Sequence, residues 1–201
     1  STAMNSDEIR LLSDEKLAVH TLTSQSAYSH IIERYERKLE RYIRRTILST
    51  QEDVEDILQE TFIKAYVNLA DFDESLKFSS WIYKIARNEC INFYRKNSRQ
   101  PKTVPGILEN EDGVVYERFV QESTQEAEVQ ANITAEAVQK ALLKINPKYR
   151  EVIVLRYFED KDYKEISDIL KIPMGTVGTL LTRGKKQFAK SFGSNSLIEH
   201  I

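Results

Sequence analysis

YKEISDILKIPMGTVGTLLTRGKKQF, Tyr163 to Phe188, is the stretch that decides how this chain folds. Two helical stripes run through it with a short break between them. Ile166, Ile169 and Leu170 give the first segment an apolar face. Val177, Leu180, Leu181 and Phe188, at i, i+3, i+4 and i+11, give one to the second. Asp162 stands three residues before Glu165, an aspartate form of the capping box that opens the first helix. Pro173, with its fixed φ and no amide hydrogen, suits the start of the second, and Ile172 plugs the turn. Two helices joined by a turn of three or four residues, the second one basic, describe a helix-turn-helix.

The outer face of the second helix carries Thr176, Gly178, Thr179, Thr182, Arg183, Lys185 and Lys186, and no acidic residue occurs between Asp168 and Glu199. A major groove lined with phosphates favours that arrangement. The pattern alone also fits an ordinary helical hairpin with a basic solvated face. Gly175, Gly178 and Gly184 interrupt the helix, each at a cost of about 1 kcal/mol relative to alanine. Gly175 falls in the opening turn, where helix amides can approach a phosphate. Gly178 faces outward. Gly184 continues the apolar stripe, seven residues on from Val177, and is expected to allow close helix–helix packing.

At 201 residues the chain has room for one domain or two small ones. Its 41% hydrophobic and 30% charged residues, with six glycines and four prolines, point to helices around limited cores. No apolar run approaches the roughly 18 residues of a membrane span, and no signal peptide is visible. The opening Ser1-Thr2-Ala3-Met4 reads as an expression scar ahead of a native start at Met4. Cys90 is the only cysteine, so no intrachain disulfide forms and a cytoplasmic location is expected. His20, His30 and His200 lack cysteine partners, so no metal site is expected. No Walker loop, metal triad or nucleophile–base pair is present, which argues against an enzyme, a cofactor or a small-molecule substrate.

The net charge of −2 conceals a pattern. Residues 1–100 carry 15 Lys+Arg against 16 Asp+Glu, residues 101–134 two against seven, and residues 135–201 12 against eight. An acidic middle thus separates a balanced half from a basic one. The expected class is all-α: a helical bundle over 5–99, a flexible acidic linker over 100–134 and a helix-turn-helix domain over 135–192. Within the linker, weak helix is expected near Gln125 to Asn132. Pro147 marks a helix start in the second domain.

In the first half, helices are expected over Asp7 to Leu22, Ser26 to Leu48 and Glu52 to Leu69. The third is the best marked: Val54, Ile57, Leu58, Thr61, Phe62, Ala65, Tyr66 and Leu69 repeat at helical spacing. Its other side holds Asp53, Asp56, Gln59, Glu60 and Ile63, either a solvated acidic face or a docking ridge for a basic partner helix. The loop from Asp71 to Lys77, with Phe72, leads into FSSWIYKIARNECINFYRK. Ile82, Ile85, Ala86 and Phe93 can line its buried side. Trp81, Tyr83 and Tyr94 then lie near Lys77, Lys84, Arg87, Arg95 and Lys96, with Asn88 and Asn92 among them. Aromatic faces beside cations make a platform on which unpaired bases stack, worth about 1–3 kcal/mol per base. They also suit the boundary of a small bundle.

The order of these segments resembles a bacterial sigma factor of the extracytoplasmic-function (ECF) group, within the sigma-70 family. EDVEDILQETFIKAY is similar to conserved region 2.2, FSSWIYKIARNECINFYRK to regions 2.3 and 2.4, and INPKYREVIVLRYFEDKDYKEISDILKIPMGTVGTLLTRGKKQF to region 4. The likeness covers about Ser26 to Lys190, without a region 3 domain. It implies docking of Asp53, Asp56, Gln59, Glu60 and Ile63 on the clamp helices of the polymerase largest catalytic subunit. It further implies a contact with the polymerase flap and an anti-sigma partner. Trp81, Lys84, Arg87 and Asn88 would help open the promoter −10 element, with Asn92 and Arg95 on the same helix. The loop carrying Asp71, Phe72 and Lys77 would receive a flipped base. Thr176, Thr179, Thr182 and Arg183 would enter the major groove of the −35 element, with Lys185, Lys186 and Arg150 on phosphates. The linker would thread the polymerase cleft. Relatives often carry a basic residue and a serine where this chain has Gly178 and Thr179, so −35 specificity does not transfer. The competing expectation is a stand-alone helix-turn-helix regulator. A self-sufficient DNA binder of that kind is usually strongly basic, and this chain is slightly acidic.

Overall fold

The computed structural model describes residues 6–47, 49–97 and 135–191, and every regular element among them is helical. The α-helices are α1 Ser6–Arg10, α2 Asp14–Thr21, α3 Tyr28–Thr46, α4 Gln51–Val67, α5 Phe78–Asn97, α6 Ala135–Lys144, α7 Pro147–Ile153, α8 Tyr163–Leu170 and α9 Met174–Ser191. α7 continues into a π-helical turn, Val154–Phe158. The expected acidic linker and its weak helix lie outside the described residues, as does Leu48.

Helix ends follow side-chain chemistry. At α8 the Glu165 amide donates to Asp162 Oδ1 (2.8 Å) and the Asp162 amide to Glu165 Oε2 (3.0 Å), so the expected capping box forms. α4 opens with a second box, in which Asp53 Oδ2 accepts from the Thr50 amide at 2.9 Å. Pro147 opens α7, after Asn146 as its cap. The single helix expected over Asp7 to Leu22 is instead two. Ser13 takes an extended conformation and its Oγ accepts from the Lys16 amide (3.3 Å), so the chain leaves one helix and starts another. A local cap there outcompetes continuation of the helix.

The first helical group buries Leu17 from α2, Ile31, Leu39 and Ile43 from α3, Val54 and Ala65 from α4, and Phe78 and Ile82 from α5. The second buries Leu142, Val152, Leu155, Ile166, Leu170, Val177 and Leu181. Each fully buried Leu, Ile or Phe stabilises by about 1.5–3 kcal/mol. Gly184 has the role expected of it. A Cβ built there would lie 3.0 Å from Ile153 Cγ1 and 3.3 Å from Tyr149 Cβ, so glycine lets α9 pack closely on α7 without displacing those side chains.

The two groups share one continuous apolar core. α5 lies between α3 and α4 on one side and α8 on the other, while α3 meets α6, α7 and the π-turn. That placement governs what the candidate site presents.

Candidate nucleic-acid interface

The helix-turn-helix is closed by a tight turn. Lys171 adopts the left-handed conformation (φ 52°) and ends α8. The Ile172 amide donates to Ser167 O (3.2 Å) and Ser167 Oγ to Ile172 O (2.6 Å), which lets Ile172 drop against the core. α9 is seated by Val177, Leu180 and Leu181, leaving Thr176, Thr179, Thr182, Arg183 and Lys186 exposed. Thr179 and Thr182 donate their hydroxyls to Gly175 O (3.1 Å) and Gly178 O (3.0 Å). Each therefore turns an acceptor oxygen and a methyl outward. Lys185 is half-buried, its Nζ 4.9 Å from the centre of the Tyr157 ring. Gly178 is half-exposed, and a Cβ there would meet Tyr163 Cε2 at an ordinary 3.6 Å.

Arg150, expected on a phosphate, occupies a different place. It is 5% exposed, and its guanidinium donates to Leu142 O (2.8 Å), Leu143 O (3.1 Å) and Thr46 O (3.0 Å). It ties α6 and α7 to the end of α3. Burial lowers its pKa. In this arrangement the guanidinium is taken up by backbone carbonyls rather than offered to solvent.

α5 also departs from expectation. Tyr83, which the sequence fits either to a stacking platform or to the boundary of a small bundle, is 1% exposed. Its ring lies 5.1 Å from Tyr42, and its hydroxyl donates to Glu159 Oε2 at 2.6 Å. Arg87 is buried too, with Nε 2.8 Å from Glu151 Oε1, and that carboxylate is itself 1% exposed. Trp81 is half-buried, 5.4 Å from the Phe72 ring and 5.5 Å from Phe78. Lys84 is half-buried, and burial, with the nearby Lys171 charge, lowers its pKa. Lys77 is exposed but stands 3.5 Å from Glu165 Oε2 and 3.6 Å from Asp162 Oδ2, and Glu165 raises its pKa. Asp71, Asn88 and Arg95 are exposed, and Asn92 is half-buried with its amide donating to Glu89 Oε1 (3.1 Å). Trp81, Lys84 and Asn88 still share one face by helical spacing.

On α4, Asp56, Gln59, Glu60 and Ile63 form an exposed ridge, whereas Asp53 is half-buried in its capping box. Beside the ridge the structure opens an apolar groove of ≈ 600 Å³ lined by Tyr28, Ile32, Leu58, Phe62, Ile63 and Tyr66. Leu58 and Tyr66 belong to the helical stripe legible in the sequence; Leu58 is half-buried and Tyr66 is 39% exposed. The apolar Ile63 and Val67 beyond the stripe were the available signal, because they make α4 apolar over more than one face.

The family model for Sigma-70 region 2 matches residues 31–100, and that for Sigma-70, region 4 matches residues 135–188. The chain belongs to the sigma-70 family of RNA polymerase sigma factors, in its ECF group. It is 36% identical to the ECF RNA polymerase sigma factor SigW of Bacillus subtilis (strain 168), over 83% of this chain and 89% of that protein. It is 30% identical to the RNA polymerase sigma factor YlaC of the same strain, over 75% of this chain and 83% of that protein. The fold is shared with CnrH in complex with the cytosolic domain of CnrY (TM-score 0.66, 21% identity, 90% of this chain and 98% of that one). It is also shared with RpoE in complex with the anti-sigma factor NepR from Bartonella quintana (TM-score 0.63, 20% identity, 84% and 98%). Similarity to sigma factors along both helical groups does not favour the stand-alone regulator. No helix among the described residues is long and apolar enough to cross a membrane.

The sigma-factor assignment is carried by both helical groups. It leaves unassigned three carboxylates that the sequence reading missed as partners of α5, namely Glu151, Glu159 and Glu165. Their only signal was acidity at positions embedded in apolar runs, as in REVIVL.

Proposed function

We propose that this chain joins core RNA polymerase through the α4 ridge and directs it to a restricted promoter set. α5 contacts the −10 element and α9 the −35 element. The observation that carries this reading is α9: a helix seated by one apolar stripe, whose opposite face is exposed, cationic and free of acidic side chains from Met174 to Ser191. Thr176, Thr179, Thr182 and Arg183 face the major groove, while Lys185 and Lys186 lie at phosphates. Asp56, Gln59, Glu60 and Ile63 dock on the clamp helices, with Asp53 holding the start of that helix, and the flap meets the second domain. On the −10 side, Asp71, Phe72, Lys77, Trp81, Lys84, Arg87, Asn88, Asn92 and Arg95 engage the opened strand. An anti-sigma factor is the expected regulator, consistent with the anti-sigma factor bound to the structurally similar RpoE.

The test is co-elution with purified bacterial core polymerase. The chain is expected to form a stable complex, and Asp56→Arg with Gln59→Ala to lose it while keeping its helical circular dichroism. Absence of any complex with the parent chain contradicts the reading.

A further inference from the structure

We propose that free copies of this chain associate head to tail. The apolar groove between α3 and α4 of one copy receives the Tyr163–Met174 edge of the helix-turn-helix of a second copy. The groove is lined by residues of α3 and α4 alone, with Tyr28, Ile32, Leu58, Phe62, Ile63 and Tyr66 giving it an apolar surface. Its shape is fixed in advance. The Tyr28 hydroxyl donates to Phe62 O at 2.6 Å, and the Tyr28 ring meets Tyr66 edge-on at 4.9 Å. A cleft already formed spares its occupant the cost of ordering it. The charged residues of the lining, Glu36 and Glu55, are both acidic and exposed, and the ridge beside them adds Asp56 and Glu60. Complementarity therefore calls for exposed apolar groups flanked by cations.

The helix-turn-helix of the same chain carries that pattern. Tyr163 and Met174 are both exposed. They flank Gly178: Met174 stands one helical turn before it, and Tyr163 Cε2 lies 3.6 Å from where its Cβ would be. Lys164 beside Tyr163, Lys171 ahead of Met174 and Arg183 further along α9 are exposed, and Arg156 lies 5.9 Å from the Tyr163 ring. Asp162, the acid next to Tyr163, already accepts from the Glu165 amide at 2.8 Å and stands 3.6 Å from Lys77. Within one chain α5 lies between α4 and α8, and no residue of α8 or α9 lines the groove, so the two faces pair between copies. Contact between unlike faces is heterologous, and it closes into a ring or extends as a chain. A small, charged interface of this kind is weak and sensitive to salt. The pairing goes beyond the polymerase reading and requires neither polymerase nor DNA.

The experiment is sedimentation velocity on the nuclease-treated full chain at low salt, from about 1 to 100 μM. The average mass is expected to rise with concentration and to return to that of the monomer at about 0.5 M salt. Glu36→Lys with Glu55→Lys replaces the acids of the groove by cations. Lys164→Glu with Lys171→Glu and Arg183→Glu replaces the cations around Tyr163 and Met174 by acids. Each variant alone then sets like charge against like and should remain monomeric. An equimolar mixture of the two should associate again, because every groove meets an opposite charge, and that recovery also shows both variants to be folded. Ile63→Asp puts a charge into the groove and should weaken self-association about tenfold. A parent chain that stays monomeric over the whole range overturns the pairing. So does association that only nucleic acid supports and nuclease removes, or association that survives both Glu36→Lys with Glu55→Lys and Ile63→Asp. A monomeric parent leaves the polymerase reading standing, since co-elution with core polymerase tests that separately.

Discussion

α5 and α9 are basic, amphipathic helices of 20 and 18 residues, both proposed to meet promoter DNA. α9 buries one stripe, with Val177, Leu180, Leu181 and Phe188, and shows its cations to solvent. α5 is buried on two sides, and the second side carries polar contacts within the apolar core: the Tyr83 hydroxyl meets Glu159 and Arg87 meets Glu151. Whether a basic helix is ready for nucleic acid thus depends on what else in the chain faces it, and not only on its own composition. The two helices differ in availability because Glu151, Glu159 and Glu165 of the second group meet side chains of α5.

The sharpest way to break this contrast is at the buried pair. Glu151→Ala removes the carboxylate that the buried Arg87 guanidinium holds and should weaken the closed arrangement by about 3–5 kcal/mol. Trp81, the single tryptophan, lies on α5 and reports it. The parent is expected to unfold in urea in one transition by Trp81 fluorescence and by circular dichroism. In the variant the two probes should separate as the domains lose their contact. Replacing both partners, Arg87→Met with Glu151→Leu, should restore coincidence. A second intervention acts on the seat of α9. Gly184→Val forces a side chain against Ile153 and Tyr149, which overpacking predicts will cost about 1–3 kcal/mol. Duplex binding should fall with it, measured by thermal melting and fluorescence anisotropy.

Changes on the outer face of α9 test its availability directly. Arg183→Ala should cost about 1–3 kcal/mol on the preferred −35 duplex and relax base preference. Lys186→Ala should weaken all duplexes alike and reduce the salt slope by about 1. Competition binding at several salt concentrations distinguishes the two. The smallest effect on the fold is expected from Gly178→Arg, since a Cβ there makes only ordinary contact with Tyr163. DNA affinity should rise and −35 preference shift. If neither changes, that face of α9 does not meet DNA.

Much of this architecture is legible in the chain itself. The spacing of Ile166, Ile169, Val177 and Leu180, with Asp162 and Glu165 as a cap, specifies the helix-turn-helix, and Gly184 signals a close helix contact. Periodicity reports which face of a helix is apolar, and that suffices where apolar faces meet. It carries no information about which helix covers a polar face. Arg87 and Glu151 read as two ordinary surface charges 64 positions apart, and only the fold reveals them as a buried pair. The seat of Arg150 is hidden for the same reason: its carbonyl partners on α3 and α6 have no side-chain signature. The groove beside the α4 ridge was hidden because Leu58 and Tyr66 keep the period of the core while lying at its open edge.

The most direct test of the central claim is run-off transcription by purified core polymerase on genomic templates, with and without this chain. The account predicts discrete transcripts that appear only when the chain is added and that vanish with Asp56→Arg and Gln59→Ala. Transcripts unchanged by the chain, or none at any template while the polymerase complex forms, would contradict it.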